Sequence, residues 1–457
     1  MKLVKFCAVF LLLAPALAGA QSEGASASSG PAPAAVGPET GGDPMLTPPP
    51  VSGQAFPTTF ASEERSNFLR GGVAFTTAYT DNAVGSLNGS PVSDVSYSVA
   101  PMVTIDETTP RLHTMLTYAP GFTFYQHTTN LNEADENASL NLAYRLSPHV
   151  TLSGRDSLQK SSNVFNQPDV ASAVAVSGGA PEGNFSVIAP IADRLSNTGT
   201  AGITAQFAAN GMVGASGTFV NLHYPDQAQV PGLFDSSSQA GAAFYSQRMA
   251  QIHYVGVSYQ YQRLLSYPTQ GVNETQTQAV LFFYTLFPAA RFSFSLFGGP
   301  QYADVGPQYG AGATPSAAAR SWNPAAGGSL NWQGRLSAFA LSYAHVISNG
   351  GGLIGAVKMD SANLALHQQL TRRLSATVGA GYAQNDVLTA TPLFSENGHT
   401  VSGTAVLQEL LRQHWSVQLG YTRLHEDYGT VAVLAQTPNT NREFISIAYQ
   451  FARPLGR

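Results

Sequence analysis

The chain has 457 residues, of which 22 are Lys or Arg and 27 are Asp or Glu, giving 11% charged residues and a formal net charge of -5; a soluble globular domain usually carries roughly 25%. Hydrophobic residues make up 44% and the mean hydropathy is -0.03, so uncharged Ser, Thr, Asn, Gln, Gly and Ala stand where charge is missing. These values exclude disorder by charge repulsion and a basic nucleic-acid-binding surface, and no nucleic-acid partner is expected.

Residues 1–20, MKLVKFCAVFLLLAPALAGA, have the three parts of an export signal: basic Lys2 and Lys5, an apolar stretch over 6–17, and the small-residue site Ala18-Gly19-Ala20. That stretch is shorter than the roughly 20 apolar residues of a membrane-spanning helix. Cys7 is the only cysteine, so the exported chain is expected to form no disulfide and no thiolate metal site. Loss of Lys2 and Lys5 takes the net charge from -5 to -7. Residues 21–67 are rich in Ser, Ala, Gly and Pro, with a Pro48-Pro49-Pro50 run. Nothing in them can build a core, and they read as a disordered periplasmic tether.

From residue 68 to 457 the dominant pattern is period-two alternation. In 253–263, Val255, Val257, Tyr259 and Tyr261 share one face while Gly256, Ser258, Gln260 and Gln262 share the other. In 415–422, Trp415, Val417, Leu419 and Tyr421 stand against Ser416, Gln418, Gly420 and Thr422, and 445–451 repeats the arrangement. Successive side chains of a strand point to opposite faces, so each segment reads as a strand with one apolar side. Eighteen strands are predicted, at roughly 69–79, 93–104, 111–126, 135–146, 148–156, 198–208, 211–223, 238–248, 250–265, 274–287, 290–301, 326–333, 335–347, 356–369, 371–384, 399–410, 414–426 and 442–452. The weaker segments 238–248 and 326–333 leave sixteen as the alternative count.

The apolar face is either a sandwich core or a lipid-facing surface. The opposite face is nearly uncharged, the strands are many and alike, and their connections alternate between short and long, which favours lipid. This is the layout of an antiparallel up-and-down transmembrane β-barrel with short periplasmic turns and long extracellular loops. The short turns resemble one another: 144–152, 369–377 and 409–417 each pass a basic or His residue before an apolar restart. Tyr79, Tyr144, Trp332, Trp415 and Tyr421 fall at strand ends, as interfacial girdles require.

None of the ten histidines forms an H-E-x-x-H set, and no Ser–His pair is singled out. The chain therefore reads as no enzyme, with no cofactor and no metal site, a rim hydrolase being the least favoured alternative. His113, His345 and His367 alternate with apolar neighbours and are expected at the lumen. Segment 127–137 holds Glu133, Asp135 and Glu136 and reads as an exposed acidic loop, with oxygen ligation of a divalent cation as the sharper alternative. The longest connection, 157–197, is expected to fold inward. Candidate lumen or channel-mouth residues are Arg70, Arg145, Arg155, Asp156, Lys160, Arg194, Arg263, Arg335 and His367, with Asp169 beside them.

The alternating hairpins, the segments SYQYQR (258–263) and GGPQY (298–302), and the ending FISIAYQFARPLGR (444–457) resemble the outer-membrane β-barrels of Gram-negative bacteria, in particular uncharacterised barrels of the acidobacterial type. The resemblance spans 68–457. It implies contact with outer-membrane lipid and lipopolysaccharide and insertion by the barrel-assembly machinery. Phe451 matches the terminal aromatic that this machinery reads, although ARPLGR follows it. A lumen of this width suits passive or facilitated diffusion of small hydrophilic solutes. The tether favours the alternative, a structural or exopolysaccharide-export barrel.

Overall fold

The structure is a computed structural model. It describes residues 67–84, 91–163, 191–227, 232–289, 291–309, 317–348, 355–388, 397–427 and 439–455. The expected export signal, the tether up to residue 66, and the span 164–190 with Asp169 lie outside the described residues.

Eighteen strands follow in chain order: β1 (Phe68–Val84), β2 (Val92–Thr108), β3 (Leu112–Tyr125), β4 (Glu133–Ser147), β5 (Val150–Asn163), β6 (Ile191–Ala208), β7 (Gly211–His223), β8 (Asp235–Ala250), β9 (His253–Tyr267), β10 (Asn273–Ala289), β11 (Phe292–Val305), β12 (Ala319–Gln333), β13 (Ser337–Ser348), β14 (Val357–Gln369), β15 (Leu374–Val387), β16 (Gly398–Leu410), β17 (Trp415–Asp427) and β18 (Asn439–Pro454). Each pairs antiparallel with the next, and β1 pairs with β18 from Phe68↔Pro454 to Thr80↔Arg442. The sheet is closed and has no free edge. An even strand number makes this antiparallel closure possible.

The sixteen-strand alternative is overturned, since both weak segments lie inside full strands, β8 and β12. The strands also run further than the alternation predicts. The expected 148–156 and 198–208 become β5 and β6, which pair as far as Asn163↔Ile191. Their upper parts carry polar residues on both faces, so no alternation marks them in the sequence.

Side chains on the concave face of a closed sheet crowd one another, and those on the convex face spread apart. In β10 this separates Ala279, Leu281 and Phe283, all buried, from Val280 and Phe282, both exposed. Register carries the assignment around the barrel. The outward face collects Phe75, Tyr97, Tyr118, Ile203, Tyr259, Leu296, Leu341, Tyr382, Leu407, Leu419 and Ile447. Trp322 and Trp332 face outward near opposite ends of β12, paired with Tyr302 and Phe292. At about 3.3 Å per residue their separation is roughly 33 Å along the strand, or about 25 Å of height at a typical barrel tilt, the thickness of an apolar membrane band.

Connections after even-numbered strands are short, as at 148–149, 209–210 and 251–252, and those after odd-numbered strands are longer, as at 126–132 and 224–234. Both Phe68 and Pro454 lie at the short-turn end. An apolar core lies inside the wall, where Phe244, Phe283 and Phe297 pack with Leu281, Ala279, Ala325 and Ala344.

Candidate functional site

The inner face of the barrel is the candidate site. Its charged side chains gather on one sector. Near the short-turn end Asp106 of β2 is buried and lies 4.0 Å from Arg70 of β1 and 3.3 Å from His113 of β3. Arg145 of β4 faces inward close to the same end, across from Thr151. Arg155 lies in the middle of β5 between Asn141 and Thr200, exposed into the lumen. Arg194 of β6 is buried on the inner face toward the other end. Asp135 of β4 is also buried inside.

The facing sector, β7 to β16, is mostly neutral on its inner face, the exceptions including Arg248 of β8, which lies over the Tyr254 ring near the short turns, and His367 of β14. Serines, threonines and amides alternate there with aromatic rings. Phe244, Phe283 and Phe297 lie over Gly214, Gly256 and Gly327 of adjacent strands, which leave room for the rings to lie along the wall. This inner aromatic set differs from the neutral-polar lining expected from sequence. Runs such as Leu281-Phe282-Phe283-Tyr284 hide it, because aromatics on both faces erase the alternation. The inward glycines on neighbouring strands are the signal that could have found it.

The remaining predicted residues separate by face. His367 of β14 faces inward, its Nδ1 3.1 Å from Thr377 Oγ1. Arg335 lies exposed in the β12–β13 turn. Asp156 and Lys160 sit in β5 on the outward face, in register with Leu140 and Glu136. Arg263 of β9 also faces outward, in a two-bonded ion pair with Glu274 of β10, Nε at 2.8 Å and Nη2 at 3.0 Å. His345 faces outward, against the expectation, and shares the Asp360 carboxylate with the Tyr343 hydroxyl. Glu133, Asp135 and Glu136 belong to β4 rather than to a loop, Glu133 and Asp135 on the inner face and Glu136 on the outer. No group of three or more metal-ligating side chains occurs among the described residues.

One connection at the long-loop mouth is buried. Tyr224, in the β7–β8 connection, is fully buried, and burial pushes its hydroxyl up to about 12. The charges that act on it are Arg194 of β6, Asp235 of β8 and Glu426 of β17. β6 and β17 stand far apart in the strand order, so Tyr224 sits on the inner side of the wall, in the field of both. At the same end Asp94 of β2 anchors the β3–β4 connection. Its carboxylate accepts from the Thr128 backbone N–H at 2.7 Å, the Thr128 hydroxyl at 2.6 Å and the His127 backbone N–H at 3.1 Å.

Charge is distributed by height as well as by sector. The short turns carry Arg111, Arg291, Arg335, Arg372, Arg373 and Arg412, while acidic residues concentrate toward the long-loop end.

A closed eighteen-stranded sheet with an apolar outer belt, tryptophans at two heights and a mostly polar interior defines a transmembrane β-barrel of the outer-membrane class. By the rule for that class, the short-turn end is periplasmic. No family model and no curated protein matches the chain. Among solved structures it is similar to the outer membrane protein OpdK of Pseudomonas aeruginosa, at 10% identity over 84% of this chain and 99% of that one, with a TM-score of 0.39. A BenF-like porin of Pseudomonas fluorescens Pf-5 matches at 9% identity, 84% and 99% coverage and a TM-score of 0.40. The FrpB iron transporter of Neisseria meningitidis matches at 8% identity, 84% and 82% coverage and a TM-score of 0.41. Likenesses this low decide nothing about function.

Proposed function

We propose that this barrel is a porin-like channel for passive or facilitated diffusion of small hydrophilic solutes across the outer membrane, of the kind the sequence resembles in acidobacteria. The observation that carries the reading is Arg155. It stands at mid-height on the inner wall and is exposed to the lumen, where a charged ring would set ion preference. Arg70, Arg145 and Arg194 stand in the same sector above and below it, with the Asp106 carboxylate beside Arg70. The tether at 21–67 is assigned to the periplasm, and Phe451 to the signal read during insertion. Phe451 faces outward over Gly71, on the seam between β18 and β1. Lipid and lipopolysaccharide are the surroundings that the outer belt calls for.

Single-channel recording of the purified protein in planar bilayers tests the channel. Stable conductance steps that respond to Arg155 substitution support it. A correctly folded barrel that never conducts would overturn it in favour of a structural or export role.

A further inference from the structure

The outer belt is interrupted at one place. Asp156 occupies the middle of β5 and faces outward, in register with Leu140 and Gly199. Every other outward-facing charge among the described residues lies within four residues of a strand end, Arg263, Arg423 and Glu443 being at that limit. A carboxylate at mid-membrane depth facing hydrocarbon is costly and calls for partners.

Among the described residues Asp156 has one such partner, Asn197 of β6, whose Nδ2 donates to Oδ1 at 3.0 Å. Oδ1 lies over Gly199, where an added Cβ would meet it at 3.5 Å. A carboxylate has acceptor sites for several donors, and among the described residues Asn197 fills one of them. The surrounding outward face mixes apolar Leu140, Leu158, Leu195 and Phe219 with polar side chains. Asn197 stands beside Asn221 of β7, and Phe219 beside Gln239 of β8. One row nearer the short turns, Ala201, Gly217 and Gly241 sit side by side, which leaves the sheet smooth enough for a second backbone to approach closely.

We propose that this β5–β8 outer face is covered in the membrane by a second copy of the same chain, its two-fold axis passing near Gly217 so that Asp156 lies within the contact but off the axis and faces the other copy's donors. Lipid tails offer no donor at that depth, and headgroup donors lie at the two interfaces. The face itself carries both an acceptor, Asp156, and amide donors, Asn197 and Asn221, together with Lys160 nearer the long-loop end. A surface with both halves of its own hydrogen bonds is self-complementary, as a two-fold contact requires. This inference rests on the barrel spanning a membrane and is independent of whether the lumen conducts.

The test is chemical cross-linking through introduced thiols in intact membranes, with mass measurement of the purified protein in nanodiscs. Gly217→Cys should give a disulfide-linked pair on oxidation, and Leu419→Cys, on a distant exposed part of the belt, should give at least tenfold less. Asp156→Leu should lower the paired fraction at least tenfold while the barrel stays folded, and Asp156→Asn should keep much of it. Equal cross-linking at both thiols would overturn the proposal, as would a single-chain mass at all concentrations. So would pairing that Asp156→Leu leaves unchanged. A cross-link from Gly217→Cys to a different protein would also overturn it.

Discussion

Arg155 and Asp156 are neighbours in β5 and stand on opposite sides of the barrel wall. Arg155 reaches the lumen between Asn141 and Thr200, and Asp156 reaches the outer surface between Leu140 and Gly199. Strand geometry makes this unavoidable, because successive side chains alternate. Two adjacent charges, of the same rank as sequence candidates, therefore have separate consequences. One belongs to conduction and the other to whatever covers the outer belt.

Charge reversal at Arg155 should move ion selectivity toward cations. Arg155→Glu changes the local charge by two units, and at about 8 Å through water this alters the energy of a passing monovalent ion by roughly 1 kcal/mol. That corresponds to about a fivefold change in relative occupancy, visible as a shifted reversal potential under a salt gradient. Asp156→Asn should leave the reversal potential unchanged. An equal shift from both variants would mean that the inward and outward assignments of β5 are wrong.

Arg263 makes the complementary case. Its guanidinium is engaged with Glu274 on the outer surface near the long-loop end. Arg263→Ala should leave unitary conductance and selectivity as they are, although sequence ranks it with the lumen arginines. A changed conductance in this variant would show that the upper part of β9 turns its outer face toward the pore.

Much of the architecture is legible in the residues. The strand number and the alternation of short and long connections follow from polar and apolar spacing. The outward placement of Val255, Val257 and Tyr259 follows from the same pattern. Which charges reach the lumen follows from it only in part. Arg263 continues the odd-numbered face of Val255, Val257, Tyr259 and Tyr261 and so belongs outside, whereas the small and polar residues around Arg155 (Ser153, Gly154, Asp156, Ser157) leave its face to be fixed by register across the hairpins. Phe282 and Phe283 show the same limit, one exposed and one buried within a continuous apolar run. The acidic stretch around Asp135 reads as a loop because its charges mask a strand that begins at Glu133.

At the long-loop end, the Asp94 carboxylate holds the start of the β3–β4 connection through hydrogen bonds to both His127 and Thr128. Asp94→Ala removes the acceptor and leaves those donors to compete for water, a loss of about 1–3 kcal/mol in bonds to a charged group. The effect should be local, since the β2–β3 ladder continues below it. Hydrogen exchange at residues 126–131 should accelerate, with little change in the melting temperature of the barrel. A global loss of stability would show that this anchor supports the wall itself.

Glycine substitutions should separate places where the wall is tight from places where it is open. An added Cβ at Gly299 of β11 would overlap the Val280 carbonyl oxygen of β10, a backbone atom that cannot turn aside. Pro300 follows and donates no ladder hydrogen bond, so this stretch has little spare pairing with which to absorb a shift. Gly299→Ala should therefore destabilise the barrel by about 1–3 kcal/mol, the usual range for overpacking. Gly403 of β16 has nothing within 4 Å of the same added atom, and Gly403→Ala should stay within about 0.5 kcal/mol of the parent. Both are read from the urea midpoint of the folded, heat-modifiable form. Similar midpoints for the two variants would mean that β10 and β11 do not approach as closely as Gly299 implies.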